Sequence, residues 1–238
     1  MHGFASHPRM WRGTARLLEE AGFLPVPVAW EPEEGMGIPQ AARDVLAPRV
    51  EEALAALGVP PDAPLFAVGH STGGLLLRWL VQEEGWDRIQ RLALLSTPNH
   101  GARTGVARIA CDTYRQPWRA VACDLIPGSA ALEALGPLAP SEVPTLSVGV
   151  ETVPNLLPAP PYDGDGDGRA HTHDNAVMAE SAWLEGATFR IWRGRRHRSH
   201  FSVSCSSAVN GWVLAFFRGE SVPEQARGLQ VSEDVCGD

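Results

Sequence analysis

A short apolar run, Leu65-Phe66-Ala67-Val68, is followed at once by Gly69-His70-Ser71-Thr72-Gly73-Gly74. A helical pattern from about Gly73 to Gln82 starts inside that turn. The apolar run is what a strand buried on both faces looks like. A strand that passes into a helix within a few residues leaves little room for side chains, and the glycines around Ser71 supply that room. The turn would hold Ser71 in a strained conformation, with its hydroxyl above the sheet and at the start of a helix. Backbone N–H groups and partial positive charge gather there. The plainer alternative is a glycine-rich strand-to-helix turn without chemistry.

The rest of the chain repeats the alternation. Helical patterns run from Trp11 to Gly22 and from Ile38 to Leu57, where Pro48 should kink or split the helix. A last one runs from about Ser206 to Phe217. Leu24 to Trp30 alternates around two prolines and reads as a strand; Leu92 to Leu95, Val143 to Val150 and Thr188 to Trp192 read as further strands. Strands alternating with helices predict an α/β fold: a mainly parallel sheet with helices on both faces. Gly101 to Pro140 is too long for an ordinary connection and is partly helical, so a small cap inserted at about 101–140 is expected. Val153 to His173 is rich in Pro, Gly and Asp and reads as an irregular loop. At 238 residues and 44% hydrophobic, the chain suits one domain over 1–219, with a polar tail at 220–238.

Composition excludes some functions. There are 28 acidic and 20 basic residues, a net charge of −8, which gives no reason to expect a nucleic-acid partner. No apolar run approaches the roughly 20 residues that span a bilayer. No basic region followed by an apolar stretch opens the chain, so the sequence as given reads as cytoplasmic. A signal on a missing N-terminal segment would make it secreted. Cys111, Cys123, Cys205 and Cys236 are too few for a disulfide scaffold. Cys111 and Cys123 either bridge a mobile segment or remain free thiols.

A serine is a poor nucleophile without a base. On this architecture the expected chain order is Ser, then Asp or Glu, then His. His197 and His200 are the histidines beyond the Thr188–Trp192 strand. His200 stands just ahead of the last helix and is the candidate base, whereas His197 lies in a run of arginines better read as a solvated loop. His70, next to the serine, is read as a packing or hydrogen-bonding residue. The acid that would orient the base belongs after the Val143–Val150 strand, where Asp163, Asp165, Asp167 and Asp174 stand. Asp174 is preferred, because a polar-to-apolar step there would seat a carboxylate at the top of the sheet; Asp167 is the reserve.

Together these residues resemble the α/β-hydrolase fold in its lipase and esterase branch. Met1-His2-Gly3-Phe4-Ala5-Ser6 is similar to that branch's HG oxyanion segment, and Gly69-His70-Ser71-Thr72-Gly73-Gly74-Leu75 to its GHSxGGL elbow. Ser96-Thr97-Pro98-Asn99-His100-Gly101 resembles the stretch that leads into the cap, and Asp124-Leu125-Ile126-Pro127-Gly128-Ser129 a segment within it. Asp174-Asn175-Ala176-Val177 with Ser181-Ala182 is similar to the acid loop, and Ser199-His200-Phe201 to the histidine site. The resemblance implies Ser71 as nucleophile, Asp174 as acid, His200 as base, and the Phe4 and Thr72 backbone N–H groups as oxyanion hole. It implies hydrolysis of small or lipid-like carboxylic esters through an acyl-enzyme. The alternatives are an acyltransferase on the same fold, or a truncated, inactive hydrolase-like protein.

Two departures stand out. The family normally runs a buried strand into the HG segment; only Met1 precedes His2, so that strand and those outside it are expected to be missing, leaving an open sheet edge. Asn175 stands where the family usually has Gly, a mild change because Asn tolerates left-handed backbone angles. No cofactor is expected. The spacing of Asp163, Asp165 and Asp167 in Asp163-Gly164-Asp165-Gly166-Asp167-Gly168 suits a Ca²⁺ loop, against the alternative of a solvated turn. In the cap, Tyr114, Trp118 and Leu125 either line an acyl pocket or pack as ordinary core.

Overall fold

The computed structural model describes residues 1–141, 143–153, 173–195 and 200–224. Four strands, β1 (Leu65–His70), β2 (Ile89–Leu95), β3 (Thr145–Val153) and β4 (Thr188–Arg195), form one sheet in chain order, with every neighbouring pair parallel. The register sets Val68 beside Ala93, and Leu94 beside Ser147. Parallel neighbours need crossovers; the Thr72–Gln82 helix lies between β1 and β2, and three shorter helices lie between β2 and β3.

The helices are α1 (Arg12–Glu20), α2 (Ile38–Gln40), α3 (Ala47–Ala56), α4 (Thr72–Gln82), α5 (Val106–Thr113), α6 (Arg119–Asp124), α7 (Ala130–Leu135) and α8 (Ser207–Phe217). Alternation along β2 divides the core in two. Leu92 and Leu94 pack with Leu75, Leu76 and Leu80 of α4 on one face. Ala93 and Leu95 pack with Trp212 and Val213 of α8, and with Leu18 of α1, on the other. Both faces of the sheet are therefore covered, as a continuous apolar strand requires.

Pro48 leaves its mark as expected. A six-residue π-helical stretch, Ala41–Leu46, stands between α2 and α3 and accommodates the proline at the start of α3. Leu24 to Trp30, expected as a strand, forms no regular element and joins no sheet. Pro25 and Pro27 lack the N–H groups a ladder needs, so the segment lies over the core instead. β1 is then an edge strand. The Met1 amino group donates to the Val68 carbonyl, and His70 N–H donates to the Met1 carbonyl at 3.0 Å. Among the described residues no strand continues that pairing. Phe66 stays 38% exposed, beside an apolar groove of about 370 Å³ walled by Trp11, Leu18, Phe23, Val28 and Phe217.

The segment read as a cap is helical. α5, α6 and α7 lie between β2 and β3, and a Cys111–Cys123 disulfide ties α5 to α6. That bridge decides between the two readings of these thiols. Cys205 is also disulfide-bonded.

Candidate active site

β1 ends at His70, and α4 begins at Thr72. Ser71 alone makes the reversal, at φ 52° and ψ −128°, a region that non-glycine residues rarely occupy. The neighbouring glycines follow from sterics. A Cβ on Gly69 would lie 2.5 Å from Gly74 Cα, and one on Gly73 2.3 Å from the His2 carbonyl oxygen. One on Gly3 would lie 2.9 Å from Ser71 Cβ. The His2–Gly3 backbone thus rests directly on the serine turn.

His2 holds that N-terminal segment. Its Nε2 accepts from Trp30 N–H at 3.2 Å, so Nδ1 carries the proton and donates to the Gly3 carbonyl at 3.0 Å. The Trp30 indole donates to the His2 carbonyl at 2.9 Å. Burial pushes the His2 imidazole down to about 4, so it stays neutral at pH 7. The chain then turns through Ala5, at φ 46°. The amides of Phe4 and Thr72 donate to no protein acceptor among the described residues.

Asp174 and His200 meet on the other side of Ser71. His200 Nδ1 lies 2.8 Å from Asp174 Oδ2, and both side chains are buried. Asp174 Oδ1 accepts from the amides of Ala176 and Val177 at 3.0 and 2.8 Å. Burial alone would raise the Asp174 carboxyl, but the neighbouring imidazole and these hydrogen bonds outweigh it and hold the group below its ordinary value. The main chains are tied as well, His200 N–H donating to the Asp174 carbonyl at 3.0 Å. Asn175 takes φ 77°, the left-handed angle at which Asn is well tolerated. Thr104, at the entry to the cap, donates to the Ala176 carbonyl at 2.6 Å and joins cap to acid loop.

Ser71 and His200 meet through His70. The His70 and His200 rings are 4.6 Å apart, and His70 Nε2 lies 2.7 Å from the His200 carbonyl oxygen. Ser71 Oγ and His200 Nε2 are not hydrogen-bonded to each other. Such bonds commonly tighten only on binding. The Phe4 ring packs edge-on against Tyr114 at 5.3 Å and Trp118 at 5.0 Å, so these cap residues stand beside the N-terminal turn. Leu125, for which pocket lining and core packing were both open, is buried in the core.

Asp163, Asp165, Asp167 and His197 lie outside the described residues. Among the described residues no group of three or more His, Cys, Asp or Glu side chains is placed to hold a metal ion. No described helix is long and apolar enough to cross a membrane.

Two residues that hold the cap escape sequence reasoning. Arg78 of α4 is fully buried and donates to Asn99 Oδ1 and to the carbonyls of Leu135, Gly136 and Leu138. Burial lowers its guanidinium to about 10, still charged at pH 7. Asp124 accepts from Ile38 N–H at 2.6 Å and anchors α6 to α2. The signal for Arg78 is its place inside Leu75-Leu76-Leu77-Arg78-Trp79-Leu80, a run otherwise suited to burial.

Several solved structures are similar to this chain. Phospholipase PlaB from Legionella pneumophila matches at a TM-score of 0.64 and 14% identity, over 95% of this chain and 60% of that one. The mature lipase BlEst2 from Bacillus licheniformis matches at 0.59 and 16% identity, over 92% of this chain and 89% of that one. An extracellular α/β-hydrolase from a Paenibacillus species matches at 0.55 and 13% identity, over 92% and 97%. The chain therefore spans about three-fifths of the phospholipase and most of the other two. No family model matches the sequence, and no curated protein is significantly similar to it. At these identities the likeness establishes the fold: the chain has the α/β-hydrolase fold.

Proposed function

We propose that this protein is a serine hydrolase of carboxylic esters. The observation that carries the reading is the buried Asp174–His200 pair, joined through His70 to a strained serine at a helix N-terminus. In the proposed reaction Ser71 Oγ attacks the acyl carbonyl while His200 Nε2 takes its proton. Ionised Asp174 holds Nδ1–H and stabilises the imidazolium. The Phe4 and Thr72 amides receive the oxyanion. Collapse expels the alcohol, which takes the proton from His200, and leaves Ser71 acylated. Water then attacks, with His200 again as base, and releases the acid.

The acyl chain is assigned to the side walled by Phe4, Tyr114 and Trp118, which suits an apolar acyl group. The activities named for the similar structures, a phospholipase and a lipase, fit the same reading. The disulfides favour an oxidising compartment, and hence the secreted alternative. The test is hydrolysis of p-nitrophenyl esters of short and long acyl chains by the wild type and by Ser71→Ala. Activity lost in the variant supports the proposal. Equal activity in the two removes Ser71 from the reaction.

A further inference from the structure

His70 is completely buried, and its ring touches both halves of the site. A carbonyl oxygen only accepts, so the 2.7 Å contact to the His200 carbonyl requires a proton on His70 Nε2. Nδ1 is then left with no partner, and it faces Gly3: a Cβ there would lie 3.0 Å from it. The His70 main chain also donates to the Met1 carbonyl, at the head of the segment that carries the Phe4 amide. One residue thus adjoins the N-terminal turn, immediately precedes Ser71, and bonds to the backbone of the candidate base.

The orphaned Nδ1 is a cost. A buried polar atom without a partner is destabilising, and an aliphatic side chain in the same space would avoid it. Packing alone therefore does not account for an imidazole here; the bond to His200 does. We propose that His70 is a positioning residue, whose Nε2–H grips the His200 carbonyl and so sets the height and orientation of the His200 ring over the Ser71 turn. Among the described residues the other hydrogen bonds of His200, from its N–H and its Nδ1, both run to Asp174. The His70 bond adds a tie from a different element, the end of β1, and so fixes the Asp174–His200 unit relative to the Ser71 turn. The inference rests on the proposed roles of Ser71 and His200.

The test compares His70→Leu, His70→Gln and His70→Asn with the wild type, by p-nitrophenyl butyrate kinetics and by the rate of Ser71 labelling with a fluorophosphonate. His70→Leu keeps the bulk and loses the donor. It is expected to lower kcat and the labelling rate by roughly tenfold to a hundredfold, with KM within about twofold. His70→Gln, whose amide N–H reaches about as far as Nε2–H, is expected to recover most of that loss. His70→Asn, whose amide is too short, is not. If His70→Leu does not fold, the Gln and Asn pair makes the same comparison. Leu matching the wild type, or Gln no better than Asn, overturns the positioning role and leaves His70 as filler. A folded wild type that is not labelled at Ser71 overturns the hydrolase reading and this inference together. Normal wild-type labelling with an unaffected Leu variant overturns only the latter.

Discussion

The angles of Ser71 belong to a region that costs of order 1–3 kcal/mol for a non-glycine residue, and the surrounding turn imposes them. Gly3, Gly69 and Gly73 let three backbone segments close on that one residue. Asp174 has two separate tasks: Oδ1 caps the Ala176 and Val177 amides, and Oδ2 faces His200. Asp174→Asn keeps an oxygen for the first task while its amide spoils the second. It is expected to fold normally and to lose roughly 10⁴-fold in kcat, as the equivalent change does in a Ser-His-Asp protease. Steady-state kinetics beside a thermal melt checks this; a loss of activity that follows a loss of folding contradicts it. The strand-to-helix turn at Ser71 and the pairing of Asp174 with His200 follow from features visible in the sequence, because a strand, a glycine turn and chain order constrain where such residues stand. The His70–His200 bond was not. It joins residues 130 apart in the chain, and no local pattern signals it.

At the scale of elements, the cap is held by specific ties as well as by apolar contact. The Cys111–Cys123 bridge links α5 to α6, Asp124 anchors α6 to Ile38, and Arg78 gathers three carbonyls near the end of α7. A bridge across a short loop like this one stabilises by about 3 kcal/mol in the chain-entropy model. The double variant Cys111→Ser, Cys123→Ser is therefore expected to melt several degrees lower and to be cleaved faster by protease within 103–120. Because Tyr114 and Trp118 lie between the two cysteines and touch Phe4, KM should rise more than kcat falls. Unchanged proteolysis would show that the remaining ties suffice. That helices interrupt the path from β2 to β3 was readable from the length of the stretch between those strands. Its fastenings were not, since an arginine on a helix ordinarily reads as solvent-facing and only tertiary packing buries Arg78. Leu24 to Trp30 misled for the opposite reason: its alternation is that of a strand, but two prolines remove the donors that pairing needs.

Across the whole molecule, the parallel order of β1 to β4 fits the alternation of strand and helix patterns visible in the sequence, but only β2 and β3 are buried on both faces: Phe66 of β1 is exposed at the sheet edge. Among the described residues β1 forms the edge of that sheet, with the Met1 backbone beside it. Stability should depend on pH in a stated direction. His2 and His70 are held neutral by burial, His2 down to about 4 and His70 well below its ordinary value. Below pH 6.5 the unfolded chain binds protons at these positions that the folded chain refuses, so stability falls as the pH drops from 6.5 towards 4. Asp174, held below its ordinary value, adds to the loss at still lower pH. Melting temperatures from pH 8 to pH 4 should decline through that window, and His2→Asn should flatten the decline; a flat profile in the wild type contradicts the burial argument.

The most direct test of the central claim is the site of covalent modification by a fluorophosphonate, mapped by peptide mass spectrometry on the folded protein. A single adduct is expected on Ser71, absent in Ser71→Ala and formed far more slowly in His200→Ala. An unmodified Ser71 in a folded sample, or labelling that persists unchanged in His200→Ala, would contradict it.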